Sequence, residues 1–184
     1  MIKERHSLQC RATGKLLFDR ALYSVALTYR RILVPYDDSE YSKRALDFAL
    51  AIARTFNSQL HLLNIVEELN PSPRMERQYI ISPKTGERES FEQYLKELYQ
   101  DMKIDAKQML AAQSRQIDSQ GIETKTKVLL GHAPSKIAEY IREEGIDMVV
   151  MGTLSRKGIS RIAGLGSVAR KISEDASCPV ILIH

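Results

Sequence analysis

The sequence contains no tryptophan, two cysteines in 184 residues, and only 7% aromatic side chains. Cys10 and Cys178 stand far apart with no Cys-x-x-Cys spacing, which excludes a disulfide framework and a zinc knuckle. No uninterrupted apolar run approaches the length of a membrane span, and the N-terminus shows no secretory apolar core. The expected address is therefore the cytoplasm, with no membrane partner. The four histidines, His6, His61, His132 and His184, are scattered, and none forms a metal pair at helical spacing. No Gly-x-Ser-x-Gly elbow is present, and Thr13-Gly14-Lys15 lacks the flanking residues of a phosphate-binding Walker loop.

The chain does carry 43% hydrophobic and 27% charged residues, the balance of an ordinary globular domain. Its net charge of +4 is concentrated at one end. Residues 1–31 hold seven Lys or Arg against Glu4 and Asp19, a surplus of five, so the remainder is close to neutral. Nucleic-acid binding by the folded part is not expected. Residues 1–29 show neither helical nor strand periodicity over their whole length. They read as an N-terminal extension, either a tail or a short docked helix, preceding a domain over residues 30–184.

From Arg31 onward, short apolar strands alternate with amphipathic helices. Ile32-Leu33-Val34 is a first strand, stopped at Pro35, and Ser39 is the expected N-cap of a helix whose apolar face runs from Ala45 to Phe56. Leu60–Val66 is apolar almost throughout, as strands covered on both faces are. Residues 67–89, with Pro71, Pro73, Pro83 and Gly86, read as a long loop or flap. A helix from Ser90 to Gln120 is expected to bury Phe91, Leu95, Leu98, Met102, Ala106, Met109 and Ala112. Thr124–Leu130 is a third strand, Pro134 opens a further helix, and Asp147–Met151 and Pro179–Ile183 complete five strands. The pattern predicts an α/β fold, an open doubly wound five-stranded parallel sheet in the order 3-2-1-4-5. In such sheets ligands lie beyond the carboxyl ends of the strands where the winding reverses.

The stretch Met151–Ser167, MGTLSRKGISRIAGLGS, joins the fourth strand to the last helix. A strand, a glycine-rich loop and a helix start in that order favour an anion. Glycine permits close backbone approach, and the first amides of a helix point outward with the positive end of its dipole behind them. Phosphate is the expected guest.

Several motifs together resemble the universal stress protein family: Ile32-Leu33-Val34-Pro35-Tyr36-Asp37 with Ser39, the strand end Val149-Val150-Met151-Gly152, Gly166-Ser167-Val168, and Cys178-Pro179-Val180 before a terminal apolar strand. The resemblance spans Arg31 to His184 and implies a nucleotide-binding-like fold, a homodimer, and ATP as ligand. It assigns Pro35, Tyr36 and Asp37 to the wall and ribose region, and Ile65 to backbone contact with the base. It places Met151 and Gly152 beside the ribose, and Gly166, Ser167 and Val168 on the phosphates. The ATP-binding members carry Gly-x-x-Gly, nine residues, then Gly-Ser or Gly-Thr. In this sequence Ser155 replaces the second glycine and ten residues, Arg156–Leu165, precede Gly166-Ser167. Arg156, with Lys157, Arg161 and Arg170, offers direct charge-assisted pairing to phosphate in compensation.

The expected function is thus a cytoplasmic stress-response protein that binds ATP or a related adenine nucleotide and signals as a dimer through its last strand, with at most slow hydrolysis. The alternative is a member of the same fold that no longer holds ATP and acts as a dimeric interaction protein. The dinucleotide-like Gly164-x-Gly166-x-x-Ala169 lies too far beyond its strand to compete. Asp37-Asp38 and Glu67-Glu68 are the carboxylate pairs available to a magnesium ion carried by a triphosphate.

Overall fold

The central strands of the domain are short and apolar. A computed structural model describes residues 29–76, 78–154 and 165–184. Arg31–Pro35 forms β1 and ends where proline removes the next ladder donor. Helix α1 spans Glu40–Phe56. The Ser39 hydroxyl accepts the Ser42 amide at its start, and Asn57 closes it in the left-handed conformation with φ 54 and ψ 48. Strand β2 is Gln59–Val66.

The segment expected to be a loop proves partly regular. It holds a one-turn helix α2 (Pro73–Glu76) and an antiparallel hairpin, β3 (Tyr79–Ile81) with β4 (Arg88–Ser90), in which Ile80 pairs with Glu89. The physical reason is that Tyr79-Ile80-Ile81 is a strand-forming run, while Pro83 and Gly86 supply the intervening turn, closed by the Gly86 amide on the Ser82 carbonyl at 2.9 Å. Three residues are too few for periodicity to reveal.

Ser90 then caps α3 (Phe91–Asp118), its hydroxyl accepting the Gln93 amide. The buried face of α3 is Leu95, Ala106, Leu110 and Ile117, and Ala112 is exposed, contrary to the expected stripe. Leu95, Ala106 and Ile117 recur every eleven residues, or 3.67 per turn, which follows a straight helix. The expected stripe steps by three and four residues and drifts around it. Strand β5 (Thr124–Leu130), α4 (Ala133–Glu143), β6 (Met148–Gly152), α5 (Ser167–Asp175) and β7 (Val180–Ile183) complete the chain.

The large sheet is wholly parallel in the order β5-β2-β1-β6-β7, which is the predicted 3-2-1-4-5 once the hairpin strands are left out of the count. Successive residues of a strand face opposite sides. Ile32, Val34, Leu60, Leu62, Met148 and Val150 pack with α1 and α3, whereas Leu33, Leu63, Val149 and Met151 pack with α4 and α5. Tyr29 joins the first of these layers, its ring edge-on to Phe56 at 6.1 Å. The remainder of the expected extension lies outside the described residues.

Candidate functional site

β1 lies at the reversal of winding, with β2 on one side and β6 on the other, so a crevice opens beyond its carboxyl end. The chain leaves β1 through a turn held by its own side chains. The Asp37 carboxylate accepts the Ser39 amide at 3.1 Å, and the Asp37 amide donates to the Ser42 hydroxyl at 3.4 Å. Asp38, at φ 63, receives the Tyr36 hydroxyl at 3.2 Å and the Lys43 ammonium at 3.0 Å. Burial, and then the Asp38 charge, hold the Tyr36 phenol far above its ordinary pKa, so it remains a donor. These bonds fix the half-buried Asp37 at the rim.

On the opposite wall, β6 ends at Gly152 where α1 crosses it. A Cβ at that position would lie 2.6 Å from Tyr41 Cβ and 2.8 Å from the Tyr41 carbonyl carbon. Beyond it, Thr153 donates its amide to the Ile183 carbonyl at 2.9 Å and accepts the Gly166 amide at 2.7 Å. A Cβ on Gly166 would lie 3.0 Å from that same Thr153 oxygen. Close approach of protein to protein therefore demands glycine at 152 and leaves little room for a side chain at 166.

The first bond within α5 runs from the Arg170 amide to the Gly166 carbonyl at 2.9 Å. The amides of Ser167, Val168 and Ala169 therefore have no acceptor inside the helix, and they lie at its positive end.

Between these walls is a cavity of about 460 Å3, within the size range of small-molecule sites. Pro35, Tyr36, Asp37, Ile65, Met151, Gly152, Gly166, Ser167 and Val168, nine of the eleven expected site residues, line it together. Ser155 and Arg156 lie outside the described residues. Two of the nine differ from expectation in detail. The Tyr36 side chain is 1% exposed and belongs to the core. The Gly166 amide is already bonded to Thr153, which leaves the next three amides for an anion.

The inner part is apolar, with Leu63, Met102 from α3, Ile137 from α4 and Met151. Here β2 outruns β1. The last rung between them is Leu63 with Pro35, reinforced by the Tyr36 amide on the Leu63 carbonyl at 2.8 Å. In a strand the amide and carbonyl of one residue point to the same side, and that side alternates. The N–H and C=O of Ile65 consequently face the crevice side by side.

Sequence reasoning missed Asn64 and Thr153. The Asn64 amide group donates to the Tyr36 carbonyl at 2.8 Å and bolts the ends of β1 and β2 together. Its signal was a polar side chain, like His61, within an otherwise apolar strand.

Of the carboxylate pairs, Asp37 and Glu67 line the cavity, and among the described residues no group of three or more His, Cys, Asp or Glu is placed to hold a metal. His132 lies outside the cavity, with its Nδ1 3.0 Å from the Ser135 hydroxyl. His61 is buried at the far end of β2 between Tyr140 and Gln59.

Sheet, crevice and helix end together define a doubly wound α/β domain of the class that receives its ligand at the topological switch point. The model of the universal stress protein family matches residues 28–184, and the chain belongs to that family. Universal stress protein MJ0531 of Methanocaldococcus jannaschii is 30% identical over 155 residues, covering 84% of this chain and 82% of that protein. Among solved structures, universal stress protein UspA from Lactobacillus plantarum superposes with a TM-score of 0.70 at 23% identity, covering 85% of this chain and 98% of the other. The universal stress protein from Archaeoglobus fulgidus in complex with dAMP superposes with a TM-score of 0.53 at 19% identity, covering 86% and 99%.

Proposed function

We propose that this protein binds ATP or a related adenine nucleotide in the crevice between β1 and β6 and acts in the cytoplasm as a stress-response switch, by binding rather than turnover. The observation that carries the reading is the presence, around one cavity, of a backbone donor–acceptor pair at Ile65 and of helix amides at Ser167 and Val168 that have no acceptor among the described residues of the helix. Adenine offers an amino donor at N6 beside an acceptor at N1, which complements the Ile65 C=O and N–H. Guanine offers the reverse polarity at that edge and leaves both backbone groups opposed. Leu63, Ile65 and Met151 give the base an apolar bed. The Asp37 carboxylate accepts from the ribose hydroxyls, and the α5 amides with the Ser167 hydroxyl receive the phosphates. The reading further assigns Ser155 and Arg156 to the phosphates by their place in the sequence, and magnesium arrives with the triphosphate. The dAMP held by the Archaeoglobus fulgidus relative supports the ligand class.

The same reading makes the protein a homodimer. β7 is an edge of the large sheet, and its four residues, Val-Ile-Leu-Ile, are only half-buried. An apolar edge of this kind invites strand pairing.

The test is direct. Purified protein, once denatured, should release an adenine nucleotide, or ATP with magnesium should raise its melting temperature by roughly 5–10 °C at a hundredfold excess over Kd. Absence of both refutes nucleotide binding. The ten-residue spacing Arg156–Leu165 and the serine at 155 favour a second reading, a dimeric interaction protein without ATP. Under that reading ATP leaves the melting temperature unchanged while gel filtration still reports a dimer.

A further inference from the structure

Thr153 uses three of its polar atoms at once. Its amide donates to the Ile183 carbonyl at 2.9 Å, its carbonyl accepts the Gly166 amide at 2.7 Å, and its hydroxyl shares a 3.2 Å hydrogen bond with His184 Nδ1. The residue is 1% exposed, and it lines the cavity beside Gly166 and Ser167. His184 is tied in turn to α1, because its carbonyl accepts the Arg44 guanidinium at 3.3 Å. A polar chain therefore runs from α1, past the end of β7, through Thr153, to the residue that caps α5. Its last two members, Thr153 and Gly166, bracket residues 154–165 in sequence.

We propose that Thr153 is a positioning residue for the anion end of the cavity: its hydroxyl fixes the direction of its carbonyl, which sets where the amides of Ser167 and Val168 point. This rests on the nucleotide reading given above and adds to it a residue that itself need not touch the ligand. Threonine suits the task because branching at Cβ restricts its χ1 and a buried hydroxyl must be bonded. Valine has the same shape and lacks the bond. With valine, Thr153 keeps its two backbone bonds, but nothing on its side chain holds the peptide plane against rotation. The amides of α5 then lose register with a phosphate while the base end, at Ile65, is unaffected.

The experiment compares ATP with adenosine by titration calorimetry on the full chain. Thr153→Val should weaken ATP binding by roughly three- to tenfold, the equivalent of one hydrogen bond, and leave adenosine binding unchanged. Thr153→Ser should restore the wild-type ratio. His184→Ala removes the same bond from an exposed partner, so it reproduces the loss even where the valine variant is poorly folded. An unchanged ratio of ATP to adenosine affinity in both Thr153→Val and His184→Ala overturns the proposal, as does an equal loss for the two ligands. A wild-type protein that binds neither adenosine nor ATP overturns the nucleotide reading as well. A wild type that binds both, with variants that keep its ratio, overturns only the positioning role.

Discussion

Replacing Gly152 by alanine tests whether this glycine serves the ligand or the packing. The added Cβ would lie 2.6 Å from Tyr41 Cβ, 2.8 Å from its carbonyl carbon and 3.0 Å from its carbonyl oxygen. Carbon atoms in contact sit about 3.5–4.0 Å apart, so the two elements must separate by roughly 1 Å. No rotamer change relieves this, because the atoms met are backbone and Cβ rather than the end of a flexible side chain. The start of α1 has to move away from β6, and overpacking of this kind costs about 1–3 kcal/mol. For a domain of this size that lowers the melting temperature by roughly 3–10 °C.

The assay is thermal unfolding of Gly152→Ala in the absence of any nucleotide. A double-mutant cycle with Tyr41→Gly sharpens it. Removing the Tyr41 Cβ relieves the shortest contact but leaves the backbone carbon and oxygen, so the cycle should recover part of the loss and not all of it. A variant that melts like the wild type yet no longer binds ATP would refute the packing argument and return Gly152 to the ribose.

Three further outcomes follow from named contacts. The His61 ring is buried, with Nδ1 3.0 Å from the Tyr140 hydroxyl and Nε2 2.8 Å from Gln59 Oε1. Burial, with Lys125 next, lowers its pKa below the ordinary 6.5, while the Tyr140 phenol is pushed up to about 12 and stays a donor. The fold therefore prefers neutral His61. Its contribution is whole above about pH 6.5 and declines as pH falls from there through the lower folded value, so urea melts should show a slope that His61→Gln flattens. Ser39→Ala removes the acceptor of the Ser42 amide at 3.1 Å and should cost about 1 kcal/mol in denaturant melts, whereas no loss would deny the cap its role. In β7 the Pro179 and Ile183 carbonyls bond β6, so the alternate residue Leu182 directs its amide outward. Leu182→Pro should convert a dimer to a folded monomer in gel filtration, and an unchanged dimer would place the interface elsewhere.

What was legible in the sequence was what local chemistry decides. Strands that alternate with amphipathic helices pair in parallel through right-handed crossovers, and the parallel sheet was legible from that alternation. Ser39 was legible because capping depends on the residue itself and its neighbours in the chain. The hairpin at Tyr79–Ser90 was not, since three-residue strands carry no measurable period. The face of α3 was misjudged at Ala112 because spacings of three and four residues drift off a straight helix's face over several turns, and the buried face there passes through Leu110 and Ile117 instead. Thr153 was invisible for another reason: its partners Ile183 and His184 are about thirty positions away and meet it only once β6 and β7 pair.

The glycines show how far a motif can be read. Sequence suggests that a glycine permits close approach but not what approaches, and at Gly152 and Gly166 the close neighbours are Tyr41 and the Thr153 carbonyl. That bears on Ser155, which stands where ATP-binding relatives are expected to have glycine. If the two flanking glycines answer to packing, the groups that would grip a nucleotide are the Ile65 backbone and the first amides of α5. Those groups are set by where β1 stops and where Gly166 caps the helix. On the proposed reading the bond between Thr153 and Gly166 fixes the second of these, because at 2.7 Å it joins the residues on either side of the loop.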